Sequence, residues 1–240
     1  MIQFENIYKA FGKLEVLKGV SASVGGGGIT AILGPNGSGK TTLIKMLLGM
    51  VYPDKGEILF HGKPIRKEWQ YKNDISYLPQ IARFPENLTV TELINLIKDI
   101  RGGSPNEQRL IELFDLESHL GKKIKHLSGG TKQKVNIVLA MMYDNPLIVL
   151  DEPSTGLDPI ALVRLKELIL DERAKGKNIL ITTHIMSLVE DLSDEILFLL
   201  EGKIYFRGTI PELKEFAGED NLEKSIAHLL EQKYAENIKI

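Results

Sequence analysis

The residues that most constrain this chain are Gly34-Pro35-Asn36-Gly37-Ser38-Gly39-Lys40-Thr41-Thr42, which match G-x-x-x-x-G-K-[ST] with a second threonine behind it. An apolar run, Ile29-Thr30-Ala31-Ile32-Leu33, comes before it and reads as a buried strand; residues 41–48 read as a helix. The segment must therefore turn sharply from strand to helix, where a phosphate loop does its chemistry. Gly34, Gly37 and Gly39 let the backbone bend until successive N–H groups point into one hollow. The helix N-terminus adds partial positive charge facing the same hollow. Lys40 is expected to reach β/γ-phosphates and Thr41 to offer its hydroxyl to Mg²⁺. The ligand so implied is a nucleoside triphosphate.

The rest of the chain limits what else it can be. At 240 residues it suffices for one large domain or a domain with an inserted lobe. It is 43% hydrophobic and 26% charged, with a net charge of −2, so no basic excess suggests a nucleic-acid groove. Without cysteine there is neither a disulfide nor a thiolate metal site. Residues 1–6 lack the basic and apolar regions of a signal peptide, and no apolar run approaches the length of a membrane span.

Strand-like and helix-like segments alternate, which implies an α/β class. The first thirty residues look β-rich, and Gly25 to Gly28 reads as a hairpin tip. Residues 57–60 and 75–78 read as strands. From about 83 to 140 the pattern turns helical, giving the expectation of an inserted helical lobe. Two capping boxes are expected there, Thr89-x-x-Glu92 and Ser104-Pro105-x-Glu107, the second with proline at the first helical position. Residues 147–151 then form a strand, Asp158-Pro159 opens a helix to about 174, and 178–182 is a strand. Residues 195–206 read as a hairpin about Glu201-Gly202. A helical tail without recognisable chemistry starts at Thr209. The expected organisation is a single domain over 1–240, with 1–82 and 141–208 as catalytic core and β-subdomain, 83–140 as helical lobe and 209–240 as tail.

Further chemistry lies at Leu147-Ile148-Val149-Leu150-Asp151-Glu152, a buried strand with two carboxylates at its C-terminal end. Asp151 would enter a Mg²⁺ shell and Glu152 would orient and deprotonate water. Ser128-Gly129-Gly130 opens another helix, with Ser128 as N-cap. One phosphate loop does not need a second anion-ready helix start. The arrangement makes sense if this one caps a nucleotide held by another subunit.

Taken with Ser154-Thr155-Gly156-Leu157-Asp158 and Thr183-His184, these motifs resemble the ATP-binding cassette (ABC) ATPases in order and spacing, over nearly the whole chain. The resemblance implies a phosphate-loop NTPase core and an ATPase using ATP and Mg²⁺. It implies that Phe11 stacks on adenine, that Gln80 senses Mg²⁺ and water, and that Ser128, Gly129 and Gly130 bind the γ-phosphate across a dimer. It also implies that Asp158 ties the two sites and that His184 contacts the γ-phosphate. The partners implied are a second ATPase subunit, a homodimer by default, and a separate membrane permease, which would place the chain at the cytoplasmic face of the membrane. Residues 13–17 and 199–209 resemble exporter ATPases. Thr131 stands where the family usually has glutamine, and the four glycines replace a Gly-Glu turn. His61, His119, His126 and His228 show no metal-ligand spacing and are expected at the surface; Trp69 carries no inference. A soluble cassette ATPase acting on nucleic acid or ribosomes is an alternative, as is a small-molecule kinase; the kinase leaves the Ser128 motif and His184 unaccounted for.

Overall fold

Ile2 and Phe4 and, beyond a register shift, Ile7 are buried and give β1 (Ile2–Phe11) one face on a core. In the computed structural model, which describes residues 1–238, β1 turns through Gly12 (φ +61°) into antiparallel β2 (Leu14–Val24). β3 (Gly28–Leu33) leads to α1 (Lys40–Leu47). β4 (Lys55–Phe60) returns antiparallel to β1 and carries the short β5 (Lys63–Pro64). This sheet has the order β2-β1-β4-β5.

Gly25 to Gly28 is not a hairpin tip. β2 and β3 belong to different sheets, so the glycines carry the chain from one to the other. Gly26, Gly27 and Gly28 have φ of +85°, +81° and +112°. A Cβ on Gly25 would lie 2.4 Å from the Met1 backbone nitrogen. The hairpin in this region is β1–β2, one strand earlier.

Residues 67–181 form a unit of their own. It contains β6 (Ile75–Leu78), α2 (Val90–Arg101), α3 (Glu107–Leu113), α4 (Gly129–Met141), β7 (Leu147–Asp151), α5 (Pro159–Ala174) and most of β8 (Asn178–Thr182). Its strands lie in the order β8-β7-β6, with β6 parallel to β7 and Leu78 opposite Leu150. The five β7 residues are all buried, as suits a parallel strand covered on both faces.

The Thr89 capping box forms as expected: the Thr89 hydroxyl accepts from the Glu92 N–H at 3.2 Å, and the Glu92 carboxylate accepts from the Thr89 N–H at 2.7 Å. The Ser104 box does not form. α3 starts at Glu107 behind Asn106, without a side-chain cap. Glu107 instead pairs with Lys98 of α2, and the Asn106 N–H donates to the Met142 carbonyl at 2.7 Å. A tertiary ion pair has taken the carboxylate that the local box required.

The other unit comprises residues 1–66 and the chain from Thr182 onward. Its later elements are α6 (Met186–Leu192), β9 (Glu195–Leu200), β10 (Lys203–Gly208), α7 (Ile210–Ala217) and α8 (Leu222–Ile238). β9 and β10 form the expected hairpin, and Glu201 and Gly202 (φ +49° and +80°) supply the left-handed turn that such a two-residue loop requires. β9 runs parallel to β3. The junction is pinned where the Ile29 N–H donates to the Asp194 carboxylate at 2.8 Å and the Asp194 N–H to the Ile29 carbonyl at 2.9 Å. Leu213, Leu222 and Leu229 bury α7 and α8 on the core around Phe198, so the tail is helical as read; its last two residues lie outside those described. Among the described residues no helix is long and apolar enough to cross a membrane.

Candidate nucleotide-binding site

The strand-to-helix turn after β3 has the shape a phosphate requires. Gly34 has φ +146°, and a Cβ there would fall 2.1 Å from the Leu199 carbonyl oxygen and 2.7 Å from Ser38 Oγ. Gly39, the N-cap of α1, has φ +108°, and its Cβ would meet Leu17 Cδ2 at 2.5 Å. At Gly34 the backbone carbonyl excludes a side chain, and at Gly39, where Leu17 could swing aside, the left-handed φ is what demands glycine. Behind the loop, Leu43, Ile44, Met46 and Leu47 are buried. At about 1.5–3 kcal/mol for each such side chain removed from water, the helix is anchored by its apolar face.

Lys40 is half-buried, and its Nζ donates to the Gly34 carbonyl at 2.7 Å and the Pro35 carbonyl at 3.1 Å. The ammonium is thus held across the mouth of the loop. Ser38 is 2% exposed, and its Oγ has no hydrogen-bond partner among the described residues. A buried hydroxyl without a partner costs about 1–3 kcal/mol. A ligand that brings acceptor oxygens into the loop removes that cost. Asn36, Gly37 and Thr41 are exposed at the loop, and Thr42 is half-buried.

In the same unit, Phe11 ends β1 with half its surface in solvent (50%) and the Lys9 ammonium 5.4 Å from its ring centre. It is not a core phenylalanine. His184, two residues past the end of β8, is also exposed. His61 and His126 are exposed as expected, whereas His119 and His228 are half-buried: His119 shares a 3.0 Å contact with Ser118, and His228 lies 3.5 Å from Glu219.

Within residues 67–181 a second constellation gathers around α4. Asp151, 5% exposed, closes β7. Glu152 follows with φ +50°, a left-handed conformation uncommon for a residue bearing a side chain. Gln80 is exposed two residues past the end of β6, the neighbouring strand. Burial raises the pKa of the Tyr77 phenol, and the charge of Asp151 raises it further.

Two buried polar residues of α4, absent from the sequence reading, hold both strand-end loops. Gln133 Nε2 donates to the Pro153 carbonyl, and Asn136 Nδ2 to the Pro79 carbonyl, each at 3.1 Å. The signal for them was a pair of amides at i and i+3, the helical repeat, leading into an apolar stretch.

Ser128 caps α4 as expected, with Oγ accepting from the Thr131 N–H at 3.2 Å. A Cβ on Gly130 would come within 2.8 Å of the Gly156 carbonyl, so this glycine is demanded by the loop after β7. A Cβ on Gly129 would meet nothing within 4 Å, and its φ is not positive. Asp158 caps α5, accepting from the Ala161 N–H at 2.8 Å, and pairs with Lys134 Nζ at 2.8 Å. The Lys134 hydrogen bond, then the Ala161 N–H, hold its carboxyl below the usual carboxylate range.

The family model described as ABC transporter matches residues 17–155. The lantibiotic transport ATP-binding protein SrtF of Streptococcus pyogenes is 34% identical over 231 residues, 93% of this chain and 95% of that protein. The Nod factor export ATP-binding protein I of Burkholderia orbicola is 38% identical over 208 residues, 84% of this chain and 68% of its own length. Among solved structures, an ATP-binding subunit of an ABC transporter superposes with a TM-score of 0.89 at 31% identity, covering 96% of this chain and 99% of that one.

Proposed function

The chain belongs to the ABC transporter family as an ATP-binding subunit and ATPase, and on that footing we propose how its residues divide the work. ATP is the substrate. Its phosphates lie in residues 34–42: Pro35, Asn36, Gly37, Ser38, Gly39 and Thr42 shape and line the loop, and Lys40 moves from the Gly34 and Pro35 carbonyls to the β/γ-phosphates. Phe11, already exposed beside Lys9, stacks on adenine. Thr41, Asp151 and Gln80 hold Mg²⁺; hydroxyl, carboxylate and amide carbonyl are the hard oxygen donors that this ion prefers. When bound, the ion offsets charge on the phosphate oxygens.

Glu152 accepts a proton from the water whose oxygen attacks the γ-phosphorus, and ADP departs with the bridging oxygen. His184 hydrogen-bonds the γ-phosphate. Ser128, Gly129 and Gly130 close over the γ-phosphate of ATP bound to a second copy, with Asp158 linking the two sites, so that two copies pair head to tail. The observation that carries this reading is Gly129. It begins a capped helix with neither a positive φ nor, among the described residues, a neighbour that requires glycine. A phosphate arriving from another molecule supplies the reason.

Residues 83–140 serve as the helical lobe, 1–82 and 141–208 as the core with its β-subdomain, and 209–240 as a tail. The pair drives a separate permease from the cytoplasmic face. The transport and export named for the relatives support an exporter.

The test is Glu152→Gln. The amide keeps size and hydrogen bonding but cannot accept the proton at neutral pH. MgATP should bind, hydrolysis should nearly stop, and sizing chromatography should show a dimer that reverts when nucleotide is removed. Hydrolysis at the unmodified rate would remove Glu152 from the role of base.

A further inference from the structure

Thr131 holds the position where the family resemblance sets glutamine, three residues past the N-cap Ser128. A glutamine there is long enough to reach back to the cap residue's backbone N–H, as in a capping box. Threonine is too short, and in this structure its hydroxyl meets the cap's own hydroxyl instead: Ser128 Oγ and Thr131 Oγ1 are 2.8 Å apart. Ser128 Oγ also accepts the Thr131 backbone N–H at 3.2 Å.

A serine hydroxyl has one proton to give and two lone pairs to receive with. The Thr131 N–H occupies one lone pair. If Ser128 donated to Thr131, its proton would be used within the chain and its free lone pair would face outward, where it repels an anion. If Thr131 donates, both lone pairs are filled and the Ser128 proton must point away from the helix. An anion arriving at this helix start selects the second arrangement.

We propose that Thr131 is a positioning residue that commits the Ser128 hydroxyl to proton donation toward the phosphate this helix start receives. The proposal rests on the reading that Ser128 binds the γ-phosphate of ATP held by a second copy. It gives the departure at position 131 a function: threonine keeps Ser128 a phosphate donor through a side-chain contact that the longer residue would not make.

The experiment is steady-state ATP hydrolysis by the full chain carrying Thr131→Val, Thr131→Ala, Thr131→Ser or Ser128→Ala, and by the Thr131→Val/Ser128→Ala double variant. Valine keeps the branched shape and removes the hydroxyl. Thr131→Val and Thr131→Ala should each lower kcat/KM about tenfold, the scale of one directed hydrogen bond. Thr131→Ser should restore most of it. Fluorescent-ATP affinity of the isolated chain and its urea midpoint should stay unchanged, which a merely structural role would not allow. In the Ser128→Ala background, Thr131→Val should cost nothing further, because the two act as one unit. Full activity of Thr131→Val, or losses that multiply in the double variant, would overturn the role of Thr131. Full activity of Ser128→Ala would overturn the underlying reading of Ser128 itself, a separate result.

Discussion

The phosphate loop at 34–42 and the Ser128-Gly129-Gly130 turn are both glycine-rich helix starts, yet the chain constrains them differently. In the first, Gly34 and Gly39 have positive φ, Gly34 has a backbone carbonyl where a Cβ would lie, and Lys40 is bonded to the loop's own carbonyls. Everything that shapes it is in its own unit. In the second, Gly130 is pressed by the Gly156 carbonyl, but Gly129 faces open space in an ordinary conformation. The first loop is built to hold a ligand by itself. The second places fewer demands on its glycines from within the chain, and on the proposed reading a second copy's nucleotide completes it.

The largest effect expected from this contrast is at Lys40. Lys40→Ala removes the cation nearest the phosphates and its charge-assisted hydrogen bonds, worth about 1.5–3 kcal/mol each. Fluorescent-ATP titration should show affinity falling by about a hundredfold or more, while stability changes little. Unchanged affinity would break the comparison at its first member.

The glycines sharpen it. By urea unfolding, Gly34→Ala should cost about 3 kcal/mol, from a strained φ and a backbone clash. Gly130→Ala should cost about 1–2 kcal/mol, since one carbonyl must shift. Gly129→Ala should stay within about 0.5 kcal/mol of the parent, because a methyl there meets nothing within 4 Å among the described residues. It should nevertheless suppress ATP turnover. Equal destabilisation at Gly129 and Gly130 would mean that both glycines are structural.

Phe11→Ala is expected to weaken ATP by about 1–3 kcal/mol, the value of base–aromatic stacking, and to leave inorganic triphosphate binding untouched. Equal losses for both would assign Phe11 to the loop's support.

The smallest effect concerns the tie between α4 and the α5 cap. The Asp158 carboxyl is held low chiefly by Lys134. A depressed folded pKa means that the pairing is present through and above the ordinary carboxylate range and lost only as pH falls through the lowered value. Lys134→Met should move the Asp158 titration, followed by carbonyl NMR, upward toward that ordinary range. An unmoved titration would show that the Ala161 N–H alone sets it.

Much of this was legible in the sequence because the signals were local. The phosphate loop, the Ser128 and Asp158 caps and the buried strand into Asp151 each depend on residues within a few positions of one another. What was not legible depended on distant partners. The Gly25 to Gly28 turn looks like a hairpin until β3 is seen to pair with β9, pinned by Asp194 more than 160 residues away. Ser104-Pro105-x-Glu107 has the composition of a capping box, but Lys98 takes the glutamate. The roles of Gln133 and Asn136 could not be read locally, because the carbonyls they satisfy belong to loops that only the fold brings to them.

The claim that one copy's phosphate loop is completed by another copy's Ser128 turn can be tested by cross-linking, since the chain has no cysteine of its own. Asn36→Cys marks the exposed tip of the first loop and His126→Cys, exposed two residues before Ser128, marks the second, each added to Glu152→Gln protein. The two singly marked proteins are mixed with a short bis-maleimide linker. The account predicts a covalent dimer containing one of each, formed with ATP and absent without it. No such dimer with ATP, together with a link between the two positions inside one dilute, doubly marked chain, would contradict it.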